Sequence, residues 1–320
     1  MSKPYKEFEP AWVKEPAPKD SYRSVFRWGD PDFVKYPKES LYKMMKEKFG
    51  MTDEDFKAYD GDIGMDRVEL NAPCRLAPEH IRAFKDIVGA DFVTTDDYPR
   101  LAVAYGKTGY DALRLRQKRI DCLPDVVVYP DTTEQIEKIV AYCTAHKIPL
   151  YVYGGGSSVT RGVEPVKGGV SLDMRLRYNK VLSFNETDQT ITVQTGMSGP
   201  KLEETLNRAP ELFGAKRAYT CGHFPQSFEY SSVGGWVVTR GAGQNSTYYG
   251  WLHYGYCHEP EICHAGGNHS DKRLSQGGHR TQSEPDYDGR RRHLRRTDGG
   301  DTEGIPLYAG KQEAFFLYFP

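Results

Sequence analysis

Long apolar runs are missing from this sequence. No stretch approaches the roughly 20 consecutive apolar residues that a membrane-spanning helix needs, and Met1-Ser2-Lys3-Pro4-Tyr5-Lys6-Glu7 has no apolar core of a secretory signal. A cytoplasmic protein without a transmembrane segment is therefore expected. An excess of either charge is missing too: 43 Lys plus Arg stand against 44 Asp plus Glu, which removes the usual argument for nucleic acid and leaves a small molecule as the expected partner. Paired cysteines are also absent. Cys74, Cys122, Cys143, Cys221, Cys257 and Cys263 show no C-x-x-C spacing, which suits a reducing compartment better than a disulfide framework. Only 38% of the 320 residues are apolar, yet that length suffices for two domains and a sizeable core.

Periodicity supplies the framework. Leu41, Met44, Met45 and Phe49 fall at helical spacing with Gly50 as a stop, and Thr52-Asp53-Glu54-Asp55 reads as a new helix start. Another helix follows Pro78, with Ile81, Phe84, Ile87 and Val88 on one face and Gly89 at its end. Residues 1–118 thus read as a helical packing extension, and the basic run Arg114, Arg116, Lys118 and Arg119 across its end is expected on a solvated helix face. From Pro124 the pattern sharpens. Val126-Val127-Val128-Tyr129 is a buried-strand run, Thr132 with Gln135 is a capping-box start, and Ile136, Ile139, Val140 and Cys143 repeat at helical spacing before a strand from Pro149 to Tyr153. Further strands are expected at 169–174, 180–184 and 190–195, with Asn185-Glu186-Thr187-Asp188 as a hairpin turn and a short helix around Leu202 and Leu206.

This β-α-β unit runs through Val152 and Tyr153 into Gly154, Gly155 and Gly156, then Ser157 and Ser158. Glycine lacks a Cβ and reaches positive φ without strain, so successive amides can turn inward and lie against a pyrophosphate, with two hydroxyls as added donors. A triple glycine alone equally describes a surface turn. These glycines follow the second strand, whereas a Rossmann unit carries them after the first, so NAD binding of that kind is disfavoured. A second stretch contains Gln226, Ser227, Phe228, Glu229, Tyr230, Ser231 and Ser232, then Val233-Gly234-Gly235-Trp236, then Thr239, Arg240, Gly241 and Ala242. Its hydroxyls and glycines surround one apolar turn, which suits a wall that sets donors on a cofactor.

Pro124-Asp125-Val126-Val127, Gly154-Gly155-Gly156-Ser157-Ser158-Val159, the run from Gln226 to Trp236 and Thr239-Arg240, in this order, resemble the FAD-binding domain of the vanillyl-alcohol oxidase and p-cresol methylhydroxylase family. Within it they are most similar to the branch of alkyldihydroxyacetonephosphate synthase (alkylglycerone-phosphate synthase) and bacterial FAD-linked oxidases. The resemblance implies an α+β fold: the PCMH-type two-subdomain FAD-binding fold, truncated, over residues 119–250, behind a helical N-terminal extension. It implies FAD, with Val152, Tyr153, Gly154, Gly155, Gly156, Ser157 and Ser158 at the pyrophosphate. Gln226, Ser227, Phe228, Glu229, Tyr230, Ser231, Ser232, Thr239, Arg240, Gly241 and Ala242 are implied near the ribityl chain and flavin. Arg240 is divided between a salt bridge to a carboxylate such as Glu229 and a cofactor contact, and Glu229 itself reads as structural. Where the synthase-like pattern is T-R-A-S-G, Thr239-Arg240-Gly241-Ala242-Gly243 has one hydroxyl fewer. Because Gly154 to Thr160 contains no His or Cys, the FAD is expected to be noncovalent. Such relatives oxidise alcohols, hydroxy acids or phenols, or exchange the acyl group of acyl-dihydroxyacetone phosphate for a fatty alcohol. A small-molecule or lipid substrate follows, with a homodimer as the parent's candidate assembly. The family's catalytic positions lie beyond the matched stretch, so no catalytic residue is carried over.

After Gly250 the composition changes, with Arg290-Arg291-Arg292, several Gly pairs and little periodicity. Cys257-His258, Cys263-His264 and His269 match no finger or ribbon spacing, and no metal site is expected. Residues 251–320 read instead as a frame-shifted, disordered tail. Read one base downstream with permitted codons, Asp288 to Arg295 can give E-G-T-F-G, the form of a flavin-wall motif of that family. Two functions stand: an FAD-linked oxidoreductase or alkylglycerone-phosphate synthase-like enzyme, or a catalytically inactive frame-shifted fragment that retains at most part of the FAD site.

Overall fold

A computed structural model describes residues 17–25, 39–57, 64–239, 241–245, 259–264, 267–270 and 311–313. Two units divide the chain: Met1–Asn71 with Lys107–Asp121, and Ala72–Gly106 with Cys122–Pro320. The first unit opens with α1 (Tyr22–Val25), α2 (Glu39–Phe49) and α3 (Asp53–Lys57). Gly50, at φ 64°, ends α2 as its sequence anticipates. The buried side chain of α2 is Tyr42, however, while Leu41, Met44 and Phe49 are exposed.

The chain then enters the second unit through α4 (Pro78–Val88), β1 (Val93–Thr94) and α5 (Asp97–Ala102) before returning to the first for α6 (Gly109–Arg116). On α4, Phe84 and Val88 are buried and Ile81 and Ile87 pack beside them, the face that helical spacing predicts. On α6 the expectation of a solvated basic face fails for Arg114. Its side chain is 1% exposed and pairs at 2.5 Å with Asp111, which is fully buried one turn earlier. Burial pushes the Asp111 carboxyl up, but Arg114 and the Thr108 amide and hydroxyl outweigh it and hold the group below its ordinary value. Arg116, Lys118 and Arg119 are exposed.

The second unit carries β2 (Val126–Val128), α7 (Thr133–Ala145), β3 (Leu150–Tyr153) and β4 (Val170–Asp173). The sheet order is β1-β2-β4-β3, so β2 and β3 are not neighbours: β4 lies between them, parallel to both. Strands covered on both faces are apolar throughout, and Val126, Val128, Val170 and Leu172 form one core with Ile136, Ile139 and Cys143 of α7 and Phe84 of α4. Thr132 caps α7 by accepting from the Gln135 amide at 3.3 Å. Asp125 fastens the strand entry, accepting from the Arg75 amide at 3.0 Å and the Gly169 amide at 2.6 Å.

Beyond β4, the hairpin β5 (Val181–Asn185) and β6 (Thr190–Gln194) turns where expected, with Asn185 Oδ1 accepting from the Asp188 amide at 3.0 Å. α8 (Gly199–Asn207), α9 (Ala209–Phe213) and α10 (Val233–Val238) follow, and Leu202, Leu206, Ile191, Val193, Val233 and Trp236 share a second core. Three short strands, β7 (Glu259–His264), β8 (Gly267–Ser270) and β9 (Lys311–Glu313), complete a sheet of order β5-β6-β9-β7-β8. Otherwise the stretch 251–320, on which the frame-shifted tail is expected, lies outside the described residues. Among the described residues no helix is long and apolar enough to cross a membrane.

Candidate functional site

The loop at the carboxyl end of β3 begins at Tyr153, which is buried with its carbonyl accepting from the Met174 amide at 3.1 Å. Its ring lies 4.6 Å from the Arg175 guanidinium, and its hydroxyl fills the space that a Cβ on Gly156 would need. Gly156 adopts φ 66°, the left-handed region that glycine enters at no steric cost. A Cβ on Gly155 would overlap the Tyr230 carbonyl, and one on Gly154 would overlap Ser232 Oγ. The absence of side chains therefore lets the first Gly/Ser stretch close directly onto the second. Among the described residues, the amides of Gly155, Gly156, Ser157 and Ser158 have no acceptor, although Gly156 is buried. Leaving a buried donor unmet is costly, so the Gly156 amide, with its three half-buried neighbours beside it, favours an acceptor from outside the protein.

The second stretch is held by its own hydroxyls. Ser231 Oγ donates to the Ser227 carbonyl at 2.7 Å and accepts from Trp236 Nε1 at 2.6 Å. Ser232 Oγ caps α10 by accepting from the Gly235 amide at 3.3 Å. Phe228 stacks on Trp236 with ring centres 6.2 Å apart. The Val233 and Gly234 amides donate to the carbonyls of Met197 at 2.8 Å and Thr195 at 2.9 Å, which ties the stretch to the segment after β6. Gln226 and Glu229 are exposed, Val152, Ser227 and Tyr230 are half-buried, and Thr239 Oγ1 donates to the Gly235 carbonyl at 2.8 Å. The Gly241 amide donates to the Trp236 carbonyl at 2.8 Å and Ala242 is exposed, while Arg240 lies outside the described residues.

Between the two stretches opens a cavity of about 290 Å³ lined by Gly155, Arg175, Asn179, Gly196, Ser198, Lys201 and residues 229–232. Sequence reasoning joined the two walls but missed Arg175, Asn179, Gly196, Ser198 and Lys201. A signal was available in Gly196-Met197-Ser198-Gly199-Pro200, since a Cβ on Gly196 would overlap the Met174 and Tyr178 carbonyls. Burial works against the Arg175 charge, yet the Asp173 carboxylate, 2.6 Å away, outweighs it and holds the guanidinium firmly protonated. Beside Trp236, burial lowers His223 to about 4, and burial also pushes the Cys221 thiol up. A diphosphate fits the donor set: a cradle closed to Cβ atoms, four amides without acceptors and cations lining the adjoining cavity.

Comparison with known proteins agrees with this chemistry. Residues 124–270 match a family model described as an FAD binding domain. Over 227 residues, 69% of this chain and 36% of the relative, the sequence is 30% identical to alkyldihydroxyacetonephosphate synthase of Dictyostelium discoideum. It is 33% identical over 174 residues to an uncharacterized FAD-linked oxidoreductase of Escherichia coli strain K12, covering 52% of this chain and 32% of that protein. The chain thus spans about a third of the length of these curated relatives. A solved structure of alkyldihydroxyacetonephosphate synthase superposes with a TM-score of 0.68 at 25% identity, over 89% of this chain and 51% of that one. Substrate-bound p-cresol methylhydroxylase shares the fold at a TM-score of 0.52 and 16% identity, over 77% of this chain and 44% of that one.

Proposed function

We propose that this chain, which carries an FAD-binding domain over residues 124–270 in the PCMH-type fold, serves as the flavin-holding part of an oxidoreductase or an alkylglycerone-phosphate synthase-like enzyme. FAD is the cofactor. When bound it supplies the electron chemistry, and the protein supplies orientation and exclusion of water. One observation carries the reading: four consecutive amides at the end of β3, from Gly155 to Ser158, without acceptors, on a loop closed against Tyr230 to Ser232. In this assignment the backbone from Val152 through Gly154 to Ser158 holds the diphosphate, with the Val152 and Tyr153 side chains serving to pack the strand end. Gln226, Ser227, Phe228, Glu229, Tyr230, Ser231 and Ser232 form the facing wall, and Thr239, Arg240, Gly241 and Ala242 lie toward the ribityl and flavin end. Ser231 acts through the frame it holds, because its hydroxyl both donates to the Ser227 carbonyl and accepts from Trp236, whereas Ser232 Oγ accepts from the Gly235 amide and still has a proton to donate.

The FAD is assigned as noncovalent, with a small molecule or lipid as substrate and a homodimer as the parent's assembly. Thiols outside any disulfide at Cys74, Cys143 and Cys221, among the described residues, support a reducing, cytoplasmic setting. The test is purification of the full chain with added FAD. Flavin absorbance that co-elutes with protein supports the reading, and failure to bind FAD at any concentration tested overturns it. Bleaching of that absorbance by hydroxy acids or fatty alcohols would then separate an active enzyme from a flavin-binding chain without turnover.

A further inference from the structure

Two cations beside the glycine loop are left unused by the backbone cradle. Lys201 stands in the first turn of α8, and its ammonium donates to the Asn179 carbonyl at 3.0 Å and to Asn179 Oδ1 at 2.8 Å. An ammonium has three protons, so one remains for whatever enters the cavity that Lys201 lines. Arg175 lines the same cavity from the turn after β4. Asp173 grips its Nε at 3.0 Å and its Nη2 at 2.6 Å, which fixes the fork and leaves Nη1 without a protein acceptor among the described residues. Both side chains are thus braced by neighbours while each keeps a donor in reserve, the arrangement of a built anion site rather than of loose surface lysines. Their neighbour on the lining is Gly155, whose amide also has no acceptor. Glu229 is the one carboxylate among the lining residues, and it opposes an anion there.

Resting on the flavin reading, we infer that Lys201 and Arg175 are charge-bearing binding residues for the diphosphate of the dinucleotide, so that the adenosine diphosphate half alone is a ligand of this cavity. Backbone amides give the diphosphate its shape. The two cations give its affinity a dependence on salt and on residue 201.

Isothermal titration of the flavin-free full chain with FAD and with ADP tests this at two salt concentrations. Wild type should bind both, more weakly at high salt, and Lys201→Met should weaken both roughly tenfold, the loss of one charge-assisted hydrogen bond. Glu229→Gln should tighten ADP. Since Arg175→Gln strands the buried Asp173 carboxylate and risks the fold, the exposed Lys201 carries the decision. Wild-type affinity for ADP in Lys201→Met overturns the inference, as does a wild type that binds FAD but not ADP; the flavin reading survives either result. ADP binding that depends on Lys201, without any FAD binding, keeps the diphosphate site and removes the flavin.

Discussion

At Gly155 the α-carbon approaches the Tyr230 carbonyl more closely than a methyl group allows, so Gly155→Val forces either the loop or the facing turn to move. Overpacking of this kind costs about 1–3 kcal/mol, and here it falls on the cradle itself. The variant should lose FAD during gel filtration while keeping its far-UV circular dichroism; flavin retained at the wild-type ratio would show that the loop is only a turn. A different residue carries a prediction for acid stability. Burial lowers His223 to about 4, so the native chain holds the ring neutral while the unfolded chain takes up a proton below roughly pH 6.5. The stability that depends on the neutral ring is therefore complete above that pH and is lost as pH falls toward about 4, by up to about 1.4 kcal/mol per unit. Urea unfolding at a series of pH values should give a shallower slope for His223→Gln than for wild type. Equal slopes would assign the acid sensitivity to other groups.

Helix α7 braces the sheet from which the loop springs, and its first turn depends on one hydroxyl. Thr132→Ala removes the acceptor for the Gln135 amide and should lower stability by about 1 kcal/mol, seen as a lower urea midpoint with unchanged m. The Gln135 side chain reaches back to the Asp131 amide at 2.8 Å rather than to Thr132, one residue from where the capping-box pattern puts it. Elements of this kind were legible in the sequence because their signals are local. The apolar run Val126–Val128, the period-two alternation of Thr190–Gln194 and the Asn185 turn each specify themselves. Lateral order is not local, and nothing in Val170–Asp173 announces that it lies between β2 and β3. The burial of Arg114 escaped for the same reason, since a basic run looks solvated until the helix face carrying Asp111 is known. The glycines of the candidate site could be read because each lacks a Cβ that the fold forbids. Arg175 and Lys201 could not, because a turn after β4 and the first turn of α8 become neighbours only through tertiary folding.

The unit that holds the glycine loop is the one whose melting should respond to flavin. Ligand that binds only the native state adds stability by mass action, about 2.7 kcal/mol at a hundredfold excess over Kd. Removing FAD should therefore lower the melting temperature progressively with dilution; a melting temperature indifferent to FAD would mean no binding to the native state. Trichloroacetic acid precipitation of the holoprotein should leave the flavin in the supernatant, because Gly154 to Thr160 offers no His or Cys for a covalent link. A yellow pellet would refute this. The insertion of β4 between β2 and β3, and the closure of Gly155 on Tyr230, also fix a timetable for biosynthesis. A ribosome delivers the glycine loop well before it delivers the turn that forms its far wall, and β3 has no sheet neighbour until β4 has emerged. A nascent chain arrested before Tyr230 thus displays every glycine of the cradle and still cannot retain flavin. Cofactor capture therefore follows the emergence of the Tyr230 turn, and until then the newly made loop waits with its amides in water.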